Sequence, residues 1–560
     1  MIGYFHGKDS RNNVTTFLDE HIRVRPDSIA LKWATQAAQP VYESVTIAEL
    51  HDKISRTAAG FKHIGIGFGD RVILFVPMSL NLYIAMFALQ KIGAIPVFLD
   101  SWARRDQLGT SAAIAGPKAM VSFEKAFDLC SAIPELFSIP IKICIGPSSR
   151  KYSGIFQELL ATSEKADTVG VEQEDTALIT FTTGSSGKPK GANRTHRFLA
   201  AQHYALDKCI PYTDADVDLP AFPIFSLNNL AAGVTTVIPA FDLGLPSNND
   251  PEILLGQLES CKVSCTTLSP SLFNSLSAYC KEKGIMLAGL RRVVTGGAPV
   301  SRDNVINFMR VAPNAKILVL FGSTEVEPMA DIEVKEMVEM KSRSDGDIEL
   351  VDEGVNVGRI VDGLRCMFLK INKDPITVSS AGDWAKLEVT SGEVGELIVA
   401  GEHVCRNYYN DEEAFTRAKI LDVDGTVWHR TGDLGRIDKN GYLWIVGRVH
   451  NAIQRKGRYC FPVRAEIVLK KLQFVKVAAY LGMEDRALGE KTICAVVPHD
   501  LSKIGDTDAE SRWAEEIRRI MCKNDIPVDQ IFFRKGIPLD PRHHSKVEYD
   551  ILRKELMAAY

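Results

Sequence analysis

Up to about residue 320 the chain alternates short, continuous apolar runs with stretches whose apolar residues fall on neighbouring helical turns. Arg71-Val72-Ile73-Leu74-Phe75-Val76-Pro77 is rich in β-branched residues and predicts a strand. Leu82, Ile84, Ala85, Phe87, Ala88 and Ile92 then predict a helix, and Ile95-Pro96-Val97-Phe98-Leu99 a second strand. Ala119–Phe123, Ile141–Ile145, Ala177–Phe181, Cys265–Leu268, Arg292–Thr295 and Ile317–Phe321 continue the pattern. Strands that are apolar on both faces and separated by helices imply α/β layers around parallel sheet. After about residue 355 the texture changes. Glu396–Ala400 and Tyr442–Val446 are short strand-like runs with Gly-rich connections, which predict a smaller β-rich subdomain. Val475–Tyr480 and Thr492–Val497, with a helical pattern around Ala509–Cys522, predict a compact α+β domain at the C-terminal end.

Composition narrows the class of protein. In 560 residues the hydrophobic share is 46% and the charged share 24%, ordinary values for a globular chain. Net charge is -4, from 66 basic and 70 acidic residues without a long run of either sign, so nucleic acid is not an expected partner. The 11 cysteines are an odd number and lack metal-ligand spacing, which fits reduced thiols and predicts a cytoplasmic location. Met1–Asn13 lacks the basic and apolar regions of a signal peptide. The most apolar stretch, about Leu80–Val97, is interrupted by Asn81, Gln90, Lys91 and Pro96, so no membrane span is expected.

The most informative segment is Thr182-Thr183-Gly184-Ser185-Ser186-Gly187-Lys188-Pro189-Lys190-Gly191, directly after the apolar run Ala177–Phe181. Glycines let backbone amides converge, hydroxyls add donors, and together they can wrap an oligophosphate. A Gly/Ser surface turn is the plainer reading of such a composition. The segment is not a Walker loop: Thr182 stands where the first Walker glycine belongs, and Pro189 where Ser or Thr would follow the lysine. With its Pro-Lys-Gly ending it resembles the phosphate-binding signature of the adenylate-forming superfamily, which includes acyl-CoA synthetases, adenylation domains and luciferases.

Further elements follow in the superfamily's order. Gly296-Gly297-Ala298-Pro299 resembles the segment that lines the adenine pocket. Phe321-Gly322-Ser323-Thr324-Glu325 is similar to the family's Tyr-Gly-x-Thr-Glu. The resemblance implies Phe321 stacking on adenine, Thr324 donating to the α-phosphate and Glu325 as ligand to Mg²⁺. Without the resemblance, Thr324 and Glu325 would be a helix cap and a first-turn acid. Trp428-His429-Arg430-Thr431-Gly432-Asp433 resembles the element whose aspartate accepts from both ribose hydroxyls, and Arg448 is expected near ribose and phosphates. The superfamily's interdomain hinge is expected at Asp438. This divides the chain into an ATP- and acyl-binding domain, 1–437, and a lid domain, 438–560, that carries Lys546. That lysine matches the one which enters the active site during adenylation, with Ser545 in place of glycine.

Arg542-His543-His544-Ser545-Lys546, Phe222–Leu227 and Trp102 resemble the β-lactone synthetases of bacterial olefin biosynthesis. Ser226 stands where many acyl-CoA synthetases have histidine, and Gln454 where many have lysine. The resemblance implies a carboxylate attacking the α-phosphate of ATP, with Mg²⁺, to give an acyl-adenylate and pyrophosphate. A fatty or β-hydroxy fatty acid is the expected substrate. Two second steps stay open: closure of a β-lactone, or thioester formation with CoA or an acyl carrier protein.

Overall fold

The computed structural model describes residues 7–35, 41–99, 103–183, 188–243, 247, 250–340, 354–539 and 547–558. Among these residues there are three sheets, of seven, fourteen and five strands. The seven-stranded sheet runs in the order Gly154–Ile155, Ile141–Ile145, Ala119–Phe123, Arg71–Phe75, Ile95–Phe98, Thr176–Thr183, Pro189–Thr195. All its pairings are parallel except the last, an antiparallel hairpin. Val72 and Leu74 face one core cluster while Ile73, Val97 and Met120 face another, which is why these strands read as unbroken apolar runs. The helix Leu80–Lys91 is buried from Leu82 onward, and Ser79 caps it by accepting from the Leu82 amide at 3.3 Å.

The fourteen-stranded sheet has a parallel half, in which Val217–Pro220, Cys265–Leu268, Arg292–Gly296 and Lys316–Ser323 lie side by side. From Lys316–Ser323 onward the neighbours turn antiparallel: Val326–Glu333, then Val355–Ile360, Leu443–Arg448, Val427–Ile437 and Gly395–Ala400. The β-rich part expected after residue 355 is therefore an extension of this sheet. It joins through the pairs Ala330↔Ile360 and Asp331↔Arg359.

Asp438 sits in the turn between Val427–Ile437 and Leu443–Arg448, which pair with each other. Its carboxylate accepts from the amides of Asn440 and Tyr442 and from the Trp444 indole, so it fastens a hairpin inside the large sheet. The first strand of the five-stranded sheet begins only at Ile453, after the short turn of helix Val449–Asn451.

Candidate functional site

The carboxyl ends of the parallel strands in the two large sheets face one cavity of about 1790 Å³. Such ends are where α/β sheets ordinarily bind ligands. One side is apolar, with Leu74, Val76, Met78, Phe98, Leu178 and Leu227 among its lining residues. The helix Pro223–Ala232 contributes Ile224 and Leu227 to this side; proline at its first turn and Gly233 in the left-handed conformation mark its ends. Ser226 lies on the same helix but is fully buried.

The other side is polar. The predicted phosphate loop begins and ends on the paired strands Thr176–Thr183 and Pro189–Thr195. Thr182 is paired with Lys190 across it, and both line the cavity. The backbone of Thr183 pairs with Pro189, whereas Gly184, Ser185, Ser186 and Gly187 lie outside the described residues. Gly296 pairs with Leu320 so closely that a Cβ would stand 2.1 Å from the Leu320 carbonyl oxygen. Gly297 adopts φ +81°, open to glycine at no steric cost, and with Ala298 it lines the cavity. Pro299 is exposed at the end of this turn.

Gly322, Ser323, Thr324 and Glu325 follow the neighbouring strand into the cavity. Phe321 stands between Leu320 and Gly322, which line the cavity, and packs against the cluster formed by Val326, Met329, Val357 and Leu397. Thr431 and Gly432 line the cavity, and Asp433 lies beside Arg448, whose Nε is 3.2 Å from its Oδ1. Arg448 also donates to the Thr431 carbonyl at 2.8 Å. Lys546 and the rest of residues 540–546 lie outside the described residues, as does Trp102.

Glu325 has the most elaborate surroundings. The Tyr408 hydroxyl donates to its Oε1 at 2.8 Å, and the Cys405 amide donates to its main-chain carbonyl at 2.8 Å. Burial opposes ionisation, but the adjoining His429–Lys419 pair and the Tyr408 hydroxyl outweigh it and hold the carboxylate below its ordinary range. His429 is pushed down to about 3 by burial and by the neighbouring ammonium of Lys419, so its ring is neutral at pH 7. Two residues beyond Glu325, Glu327 also lines the cavity, and burial raises its carboxyl to about 7 against the opposing charge of Arg194. Arg194 is itself buried and donates to the Thr324 carbonyl at 2.9 Å.

The segment around Cys405–Tyr409 stitches these motifs together. Tyr409 donates its amide to Gly191, Ala192 bridges Tyr408, and Val326 bridges Val404. Sequence reasoning passed over Tyr408, Lys419, Arg194 and Glu327. None stands inside a recognisable motif, and His429 was quoted only as a spacer. A lysine and a histidine ten positions apart become neighbours because Lys419↔His429 is a cross-strand pair.

The polar side suits a nucleotide with a magnesium ion. The hydroxyls of Thr180 and Ser323, both on lining residues, are buried without a protein partner and need one. Among the described residues no three His, Cys, Asp or Glu side chains gather as a metal cage. One carboxylate, Glu325, is what Mg²⁺ ordinarily takes from protein when phosphate oxygens and water fill the other positions.

Comparison with known proteins agrees with this geometry. Residues 18–409 match the model of the AMP-binding enzyme family, and the chain belongs to that family. It is 28% identical to an olefin beta-lactone synthetase of Stenotrophomonas maltophilia (strain K279a), over 96% of each chain. It is also 28% identical to 4-coumarate--CoA ligase 3 of Oryza sativa subsp. japonica, over 92% of this chain and 87% of the relative. In three dimensions it resembles ATP-bound MatB from Rhodopseudomonas palustris, with a TM-score of 0.77 and 20% identity, covering 98% and 99% of the two chains. MenE from Bacillus subtilis, in complex with ATP and magnesium ion, gives a TM-score of 0.75 at 19% identity, covering 96% and 99%. Among the described residues no helix is long and apolar enough to cross a membrane.

Proposed function

We propose that this enzyme activates a long-chain carboxylic acid with ATP and then closes a β-lactone from the acid's own β-hydroxyl. The observation that carries the reading is one cavity with a phosphate-type polar wall and an apolar wall. The apolar wall would take the acyl chain, each buried methylene contributing about 0.8 kcal/mol. The polar wall would take the nucleotide. Thr182, Lys190 and the amides of the hairpin turn hold the phosphates, Thr324 donates to the α-phosphate, and Asp433 accepts from the ribose.

In the first step a carboxylate oxygen bonds to the α-phosphorus as the bond to pyrophosphate breaks. Mg²⁺, held by Glu325, would supply charge neutralisation on the phosphate oxygens. Lys546 would reach the same oxygens when the C-terminal domain closes. The change of sheet between Arg448 and Ile453 supports a hinge at 449–452, beyond the expected Asp438. In the second step the β-hydroxyl oxygen attacks the acyl carbon and AMP departs, the hydroxyl proton passing to solvent. The likeness to olefin beta-lactone synthetases supports this ending, together with the absence of the thioester-linked residues at Ser226 and Gln454. Gln454 is exposed on the first strand of the five-stranded sheet.

The test is pyrophosphate release across a panel of acids, with and without CoA or a carrier thiol, followed by mass spectrometry of the product. Release without CoA and a product lighter than the hydroxy acid by one water support the proposal. A product that appears only with CoA and carries its mass would make the enzyme an acyl-CoA ligase instead.

A further inference from the structure

Lys419 is only 2% exposed, on the short strand Lys419–Leu421, an unusual place for an ammonium group. Among the described residues no carboxylate stands within ion-pair distance of it. Its Nζ instead donates to the Cys405 carbonyl, lies 3.1 Å from His429 Nδ1, which also meets the Ala418 carbonyl at 3.2 Å, and lies 5.2 Å from the centre of the Tyr408 ring. Two of these contacts lead to Glu325. Cys405 binds the Glu325 carbonyl through its amide, and Tyr408 binds Oε1 through its hydroxyl. His429 lines the cavity beside them. Lys419 itself is not among the described residues that line the cavity.

We propose that Lys419 is a positioning residue: through Cys405 it holds the main chain of Glu325 and through Tyr408 its carboxylate, so that Oε2 is presented to the metal. The inference rests on Glu325 being the Mg²⁺ ligand. A buried ammonium that binds a carbonyl, a ring nitrogen and an aromatic face is costly to desolvate, and a hydrophobic residue of similar volume would fill the site with less penalty. Its presence therefore calls for a gain other than packing, and two of its contacts lead to Glu325, Cys405 to the main-chain carbonyl and Tyr408 to the carboxylate.

The test uses the full-length enzyme and Lys419→Met, which keeps volume and removes charge. The Mg²⁺ concentration for half-maximal pyrophosphate release should rise at least tenfold. Metal-free ATP affinity by calorimetry should change less than twofold. Tyr408→Phe, which loses one bond and keeps the ring, should raise the Mg²⁺ requirement about threefold, and it keeps the test usable should Lys419→Met fold poorly. In a Glu325→Gln background Lys419→Met should add less than twofold, because the two act as one unit. An unchanged Mg²⁺ requirement in both Lys419→Met and Tyr408→Phe overturns the inference, as does an equal loss of metal-free ATP affinity. If Glu325→Gln alone leaves the Mg²⁺ requirement unaltered, the metal assignment of Glu325 fails and this inference with it. A shifted Glu325→Gln beside an unshifted Lys419→Met removes only the role of Lys419.

Discussion

The two walls of the cavity are built on opposite principles. The polar wall is assembled from segments short enough to write as motifs: a hairpin turn, two strand ends and a strand bearing Thr431, Gly432 and Asp433. Each position there has one job, because a phosphate oxygen or ribose hydroxyl must meet a donor or acceptor at hydrogen-bond distance. The apolar wall draws single residues from many elements, Leu74, Met78, Phe98, Leu178 and Leu227 among them. There only volume and apolarity matter, and one residue can change while its neighbours compensate. The difference teaches where single substitutions should be severe and where they should be mild.

The largest expected effect lies beneath the polar wall. Arg430 and Glu396 form an ion pair at 2.6 Å with side chains 6% and 2% exposed, and Arg430 also donates to the carbonyls of Asp374 and Asn372. Arg430→Met leaves a buried carboxylate alone and should cost about 3–5 kcal/mol of stability. The shift of the urea midpoint measures it. Replacing Glu396 by Leu in the same protein should recover most of the loss. A single variant as stable as the parent would show that the polar wall does not depend on this pair.

Next comes catalysis on that wall. Removing a preorganised charge donor typically costs ~10²–10³ in rate, so Lys546→Ala should slow acyl-adenylate formation by that factor. Given synthetic acyl-adenylate, the variant should complete the second step near the parental rate. Equal loss in both half-reactions, followed by single-turnover kinetics, would make Lys546 structural. Asp433→Ala should weaken ATP binding by about 2–3 kcal/mol, since ribose hydroxyls lose a charged acceptor. Calorimetry reads this directly, and unchanged affinity would detach the ribose from Asp433. The companion Arg448, 3.2 Å from that carboxylate, then loses its ionic partner and keeps the Thr431 carbonyl.

The same contrast decides what could be seen in the sequence. Strands buried on both faces, such as Arg71–Phe75 and Ile95–Phe98, announce themselves as unbroken apolar runs. The polar motifs were legible because glycine, hydroxyl and charge must sit at fixed spacing along one segment. Glu325 stands out in the sequence that way, but the residues around it do not. Tyr408 and Lys419 reach it from strands and turns that meet only in three dimensions, through pairings such as Lys419↔His429. The motif names Phe321 without showing that it packs against the cluster of Val326 and Met329. The hinge expected at Asp438 rests on the resemblance to the superfamily; in the fold this residue fastens the turn between Val427–Ile437 and Leu443–Arg448.

The smallest expected effect tests the apolar wall itself. Leu227 lines the cavity from the helix Pro223–Ala232 and is only partly buried by protein, so its outer atoms face the space assigned to the acyl chain. Truncation to alanine in a packed core costs about 2–5 kcal/mol, but here part of the side chain meets ligand rather than core, and the fold should lose less. Contact with the acyl chain should weaken by about 1 kcal/mol, at ~25 cal/mol per Å² of apolar surface no longer covered. Leu227→Ala should therefore raise KM for a long-chain acid less than tenfold, leave kcat nearly unchanged and leave ATP affinity unaltered. Met78→Ala, from a different element of the same wall, should act to a similar extent, and the double variant should show the sum of the two effects. Initial rates across acids of increasing chain length separate the outcomes. A Leu227→Ala enzyme that loses activity on short and long acids alike would place this residue with the polar wall in importance, and the division between the two walls would not hold.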